Sequence, residues 1–219
     1  SSLSRWTKGL AEGLLASVLL ACEKPVIAAA AMNSAMWANP IVKKNWSHLQ
    51  QNPKVLSLSP SSGLLACDRI GDGRMVEPAL IQLAINSVFF QSYKNGELKK
   101  DWEGLRLLVT AGPTSESLDP ARIITNKSSG QMGILIAQAA KLRGATVDLI
   151  HGPVQVPRGW LEGLSTHPVR NGSEMQQMLR EFQSHADAIA MTAAIADLRK
   201  KNGISIEKKE LNLVLYDLK

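Results

Sequence analysis

Apolar residues along this chain recur at two spacings. Leu3, Trp6, Leu10, Leu14 and Val18 follow one another every three to four residues, the period of one helical face, and predict an opening amphipathic helix. PVIAAA at 25–30 reads as a buried strand. A helix is expected from about 35 to 49, then a strand from Lys54 to Leu58 and a Gly- and Ser-rich loop over 59–75. The next helix runs from Glu77 to about Ser92, with Pro78 suited to its first turn because that position needs no N–H donor. The polar segment that follows lacks apolar periodicity and is read as a linker at 93–104.

Beyond it, LRLLVT at 105–110 predicts a strand, followed by a long turn at 111–129. Met132, Leu135, Ile136, Ala139 and Ala140 then mark one face of a helix ending at Gly144, and a strand is expected from Thr146 to Ile150. Ser173 and Gln176 have capping-box spacing ahead of a helix that carries Met175, Met178, Leu179 and Phe182 on one face. A further strand is expected at 187–194. Strands alternating with helices define the α/β class. The expectation is two Rossmann-like, doubly wound parallel-sheet domains at 1–92 and 105–219, with ligands at the C-terminal strand ends. The loops 111–129, 151–158 and 193–201 leave such ends and should converge. Both chain ends read as cut: the chain starts within a helical pattern and stops at the alternating LNLVLYDLK. Both domains are therefore expected to be truncated.

With 219 residues, 45% of them apolar, the chain can build a substantial core. Its net charge of +6 favours anionic partners. Aromatics are only 5% and no Lys/Arg block of five occurs, which argues against nucleic acid and for small phosphorylated molecules. Cys22 and Cys67 form no disulfide framework. LLAC at 19–22 mimics a lipoprotein cleavage site, but Glu12 interrupts the apolar stretch before it and a buried strand follows it. No apolar run approaches the roughly 20 residues of a membrane span. A cytoplasmic protein without a membrane partner is expected.

No Walker P-loop or zinc-ligand spacing occurs. Gly71 and Gly73 lack the third glycine of a dinucleotide fingerprint. In TNKSSGQMG, Thr125 to Gly133, Ser128, Ser129 and Gly130 place hydroxyls and free amides at a helix N-terminus, where a phosphate is favoured; an ordinary serine cap is the alternative. TAGPT at 110–114 supplies a second backbone loop or a simple turn. Asp197 could meet a ribose hydroxyl or a metal through water, or merely cap the next segment. Asn33, between Met32 and Met36, could orient a ligand's carboxylate. Cys67, near Arg69 and Arg74, could be a thiolate or a buried bystander.

In order, AAMNSAMW, SGLLACDRIGDGRM, LLVTAGPTSESLDPARIITNKSSGQMG and AAIAD strongly resemble the bifunctional flavoproteins of coenzyme A biosynthesis. In that family phosphopantothenoylcysteine decarboxylase is fused to phosphopantothenate–cysteine ligase. The resemblance implies FMN for the first half, and Mg2+ and CTP for the second. It makes Cys67 the proton donor to an enethiolate and gives Met32, Asn33 and Arg74 to the decarboxylase substrate. Asn126 is implied in the acyl-cytidylate step. Gly112, Pro113, Thr114, Ser128, Ser129, Gly130, Met132, Gly133, Ala193, Ala194 and Asp197 are implied in nucleotide or phosphate binding. The family's substrate lysine falls near Lys208 or Lys209, and no metal ligand is assigned. The resemblance further implies a homo-oligomer, and the chain by itself is expected to turn over neither reaction. A nucleotide-binding module without catalysis and a nicotinamide oxidoreductase stay open as alternatives.

Overall fold

The computed structural model describes residues 2–64 and 70–197 and divides the chain into two compact units. The first takes in residues up to 105 with 138–146 and 157–163; the second takes in 106–137, 147–156 and 164 onwards.

In the first unit, α1 (Ser2–Thr7) and α2 (Leu14–Ala21) precede β1 (Val26–Ala29), α3 (Ser34–Ala38), α4 (Pro40–Gln50) and β2 (Val55–Leu58). β1 and β2 pair in parallel from Val26 opposite Val55 to Ala29 opposite Leu58. Ala30, Trp37, Trp46 and Leu49 form one core cluster, in which the two indoles meet edge to face at 5.8 Å. A second cluster gathers Leu56, Leu58, Val76 and Ala84. It is completed by α5 (Pro78–Phe90), which starts where Pro78 fixes the first helical φ. β3 (Ser61–Leu64) and β4 (Ile70–Arg74) pair antiparallel, as do β5 (Ser92–Lys94) and β6 (Glu97–Lys99).

The second unit is built on a four-stranded parallel sheet of β7 (Arg106–Ala111), β10 (Thr146–His151), β11 (Ser165–Pro168) and β12 (Ala188–Met191). Their order across the sheet is β11-β10-β7-β12. By sequence rank this is 3-2-1-4, the order of a Rossmann-like half, with the switch point beside β7. A small antiparallel hairpin, β8 (Ser115–Ser117) and β9 (Ile123–Thr125), stands between β7 and α6 (Gln131–Leu142). α7 (Gly172–Phe182) joins β11 to β12. Leu108, Ile150, Val169 and Met175 form the core against α7, whose Met178, Leu179 and Phe182 pack as their spacing predicts. Leu108, Ile134, Leu149 and Ile150 are all under 2% exposed; burying each contributes about 1.5–3 kcal/mol.

Several expectations are corrected. The opening helix is two helices, because Gly9 and Gly13 adopt φ of 70° and 88° between them. The apolar stripe therefore does not form, and Leu14 is 82% exposed. The helix expected at 35–49 breaks at Asn39-Pro40, where Asn39 ends α3 and its side chain caps α4. The 59–75 loop carries the two arms β3 and β4, and the linker holds a hairpin whose turn, Asn95-Gly96, has φ of 53° and 80°. Both signs match a type I′ turn. The long 111–129 turn contains β8 and β9, and β11 falls where no strand is expected. On α6 the buried positions are Gly133, Ile134, Ala137, Gln138 and Ala140, while Met132 is 71% exposed. The α7 cap is Asn171 with Glu174, two residues before the expected Ser173 and Gln176: Asn171 Oδ1 accepts from the Glu174 amide at 2.9 Å, and Glu174 accepts from the Arg170 amide at 2.7 Å. The strand read at 211–219 lies outside the described residues. Among the described residues, no helix is long and apolar enough to cross a membrane.

Candidate functional site

The site is assembled where β7 ends. Buried Ala111 leads into Gly112, whose φ of 76° a side chain would resist. Pro113 is buried, and Thr114 is fully buried with three polar contacts. Its amide donates to Ala194 O at 3.1 Å, its Oγ1 accepts from the Ala196 amide at 2.9 Å, and its carbonyl accepts from Thr125 Oγ1 at 2.9 Å. The β8–β9 hairpin then returns the chain beside β7. At its tip Arg122 hydrogen-bonds Asp119 and holds that carboxyl below the usual aspartate range.

Asn126 to Gly130 form the turn into α6. Ser128 donates its amide to Asn126 O at 2.9 Å, and the Ser129 hydroxyl accepts from the Gln131 amide at 3.3 Å. Gly130 has φ of 76°. A side chain there would begin 2.5 Å from Val154 Cγ1 and 3.1 Å from Gly112 Cα. One turn on, a Cβ at Gly133 would lie 2.4 Å from Thr192 Oγ1 and 2.6 Å from Ala111 Cβ, so α6 starts pressed against the sheet end. The loop after β10 closes the other side: a Cβ on Gly152 would overlap Pro113 O, and the Gln155 amide donates to Ser129 O at 3.0 Å. Two strand-end loops, the β7 connection at Gly112 and Gly130 and the β10 loop at Gly152, thus meet at glycines. The amides of the first α6 turn, Met132 and Gly133 among them, have no intrahelical acceptor and point from a helix N-terminus, which favours an anion.

The segment after β12 completes the cluster. Thr110 Oγ1 accepts from the amides of Thr192 at 3.2 Å and Ala193 at 3.3 Å, and the Ala194 amide donates to Gly112 O at 2.9 Å. These amides are turned onto the β7 end, the Ala194 carbonyl accepts from Thr114, and Ala193 packs against the Leu108 and Ile150 core. Asn126 donates Nδ2 to Ile195 O at 2.9 Å, which leaves its Oδ1 as the end presented outward. Asp197 is exposed. Lys208 and Lys209 lie outside the described residues.

In the first unit, Asn33 Oδ1 accepts from the Ala35 amide at 2.9 Å and so caps α3. Met32 donates its amide to Gly73 O at 2.9 Å, and a Cβ on Gly73 would collide with Met32 O. Met32, Asn33 and β4 are thereby brought together. Arg74 pairs with Glu77 at 2.9 Å. Cys67 lies outside the described residues. A cavity of about 460 Å3 is walled by Trp6, Ala30, Met36 and Trp46 among others, with no charged side chain in its lining. Among the described residues, no three His, Cys, Asp or Glu side chains cluster as metal ligands.

Sequence reasoning missed the internal work of Thr110, Thr114 and Thr125, and the loop of Gly152 and Val154. One signal was available. Gly152-Pro153 repeats Gly112-Pro113 after a second strand, and each Gly-Pro step marks a turn at its strand end.

Fold and site together define an α/β protein with a glycine-rich turn and a helix N-terminus at the topological switch point. Residues 102–217 match the family model of the DNA/pantothenate metabolism flavoprotein C-terminal domain, and residues 1–89 match the Flavoprotein model. The chain belongs to the DNA/pantothenate metabolism flavoprotein family. It is 38% identical over 201 residues to the coenzyme A biosynthesis bifunctional protein CoaBC of Bacillus subtilis, covering 91% of this chain and 47% of that one. Its identity to the CoaBC protein of Haemophilus influenzae is 39% over 197 residues, covering 90% and 47%. The chain spans about half the length of these curated relatives. A crystal structure of the C-terminal domain of a CoaBC protein is 39% identical and covers 45% of this chain and 50% of that one, with a TM-score of 0.42.

Proposed function

We propose that the chain serves coenzyme A biosynthesis. In this reading its second unit is the nucleotide-binding front of a CTP-dependent phosphopantothenate–cysteine ligase, and its first unit is part of an FMN-dependent phosphopantothenoylcysteine decarboxylase. The observation that carries it is the N-terminus of α6, whose Met132 and Gly133 amides have no intrahelical acceptor, seated at the switch point beside the closely packed turns of Gly112, Gly130 and Gly152. Ser128 and Ser129 add hydroxyls at the same turn. Exposed Asp197 and the outward Oδ1 of Asn126 border it and suit a ribose hydroxyl and the group being activated.

Magnesium enters this reading with the triphosphate, as part of the substrate. For FMN, the match to the Flavoprotein model supports the cofactor. The cavity walls fit a flat apolar ring, and they contain no charged group for its phosphate. Cys67, by family resemblance, would protonate the enethiolate, with Asn33 and Arg74 holding the substrate; the cytoplasmic location and homo-oligomer expected from the sequence belong to the same proposal.

Calorimetric titration with Mg·CTP, and separately with NADH, tests the ligase half. Saturable CTP binding without NADH binding is expected. Binding of NADH alone would favour the nicotinamide alternative, and binding of neither would overturn the nucleotide reading.

A further inference from the structure

We propose that Thr114 is the positioning residue of Asn126, acting through both backbone segments that the asparagine connects. The inference rests on the nucleotide reading of this site and assigns a role that the reading does not contain.

Asn126 Nδ2 is anchored on Ile195 O at 2.9 Å. Thr114 bonds to the chain neighbour of each partner in that pair. Its carbonyl accepts from Thr125 Oγ1 at 2.9 Å, one residue before Asn126, and its Oγ1 accepts from the Ala196 amide at 2.9 Å, one residue after Ile195. A third bond, from its amide to Ala194 O at 3.1 Å, holds the other side of Ile195. Residue 195 is therefore clamped on both flanks by one fully buried residue, through its hydroxyl at Ala196 and its backbone amide at Ala194. The Thr114 hydroxyl is buried and already accepts from the Ala196 amide, so it acts on the site through the peptide it fixes. With Ile195 O fixed, the Asn126 carboxamide can take only the orientation that presents Oδ1. A ligand then meets a preset acceptor, with its ordering cost already met by folding.

The side-chain amide of Asn126 reports this directly. In the 15N-labelled 219-residue chain, its Nδ2 protons should exchange slowly with water because one is held by Ile195 O. Thr114→Val keeps the shape and removes the acceptor for Ala196. It is expected to speed that exchange at least tenfold and to raise the Kd for Mg·CTP about threefold, inside the loss expected of Asn126→Ala, and Thr114→Ser is expected to restore both to within about twofold. A role in overall stability alone would lower Tm and leave the Asn126 exchange rate as it was; that outcome overturns the proposal. Should Thr114→Val fail to fold, Thr125→Val at an exposed position removes one arm of the clamp and is expected to speed the same exchange about threefold; no change there also overturns it. Absence of CTP binding by the parent chain counts against the nucleotide reading, while the exchange rates still decide the role of Thr114.

Discussion

Gly112 Cα lies 3.1 Å from the point where a side chain on Gly130 would begin, and Val154 Cγ1 lies closer still, at 2.5 Å. The two glycines share a φ of 76° and leave no volume between the β7 and α6 turns. Gly130→Ala is expected to destabilise the chain by about 1–3 kcal/mol, from the left-handed φ and the collision together. Urea unfolding checks it. Adding Val154→Ala should recover only part of the loss, because the Gly112 backbone stays in place.

Asn126→Ala is expected to keep Mg·CTP affinity within about tenfold, near 1.4 kcal/mol, and Asn126→Asp to weaken it further. The aspartate would set a carboxylate against Ile195 O, where the amide now donates at 2.9 Å. It would also add a charge beside a polyanion; two like charges 4 Å apart at an effective dielectric near 20 repel by about 4 kcal/mol, an upper scale. Calorimetry on both variants gives the order, and equal affinities would refute it.

Arg143 Nε lies 3.0 Å from both carboxylate oxygens of Asp101, and its guanidinium stacks 4.6 Å from the Trp102 ring centroid. The hydrogen bond from Arg143 holds the Asp101 carboxyl below its ordinary 3.8. A carboxyl depressed in the folded state contributes stability above its unfolded pKa and loses it as pH falls through the folded value. Asp101→Asn should therefore cost about 0.5–1 kcal/mol at pH 7, with the gap to the parent closing below pH 3.8. Thermal unfolding at pH 7, 5 and 3 measures it.

The reciprocal cap at α7 gives a fourth test. Asn171→Ala is expected to cost about 1 kcal/mol in urea unfolding, since the Glu174 amide loses its acceptor. Combined with Glu174→Ala the losses should fall short of additive by at least about 0.5 kcal/mol, because each residue bonds the other.

Apolar period was the readable part of this fold. Val55 to Leu58, Leu107 to Ala111 and Val147 to Ile150 carry their burial in side-chain type alone, and β2, β7 and β10 stand where the spacing puts them. The α6 face was misjudged because its contact point is Gly133, which has no side chain to register in a hydrophobic pattern. β11 is STHP, polar enough to read as loop, and is held as a strand by pairing with β10. Asn95-Gly96 was visible as a hairpin dipeptide, but Tyr93 and Leu98 offer too little alternation around it. At the site, the Ser128 to Gly133 turn is local chemistry and shows in the sequence. The bonds of Thr114 to Ala196 and of Asn126 to Ile195 span 82 and 69 residues, and no local pattern encodes them.

The cap formed by Asn33 makes that residue experimentally separable into two parts. Asp and Asn serve almost equally at a helix N-cap, so Asn33→Asp keeps the bond to the Ala35 amide while exchanging a carboxamide for a carboxylate. Asn33→Ala loses both. A phenotype common to the two variants belongs to the carboxamide and what it recognises; one confined to alanine belongs to the start of α3.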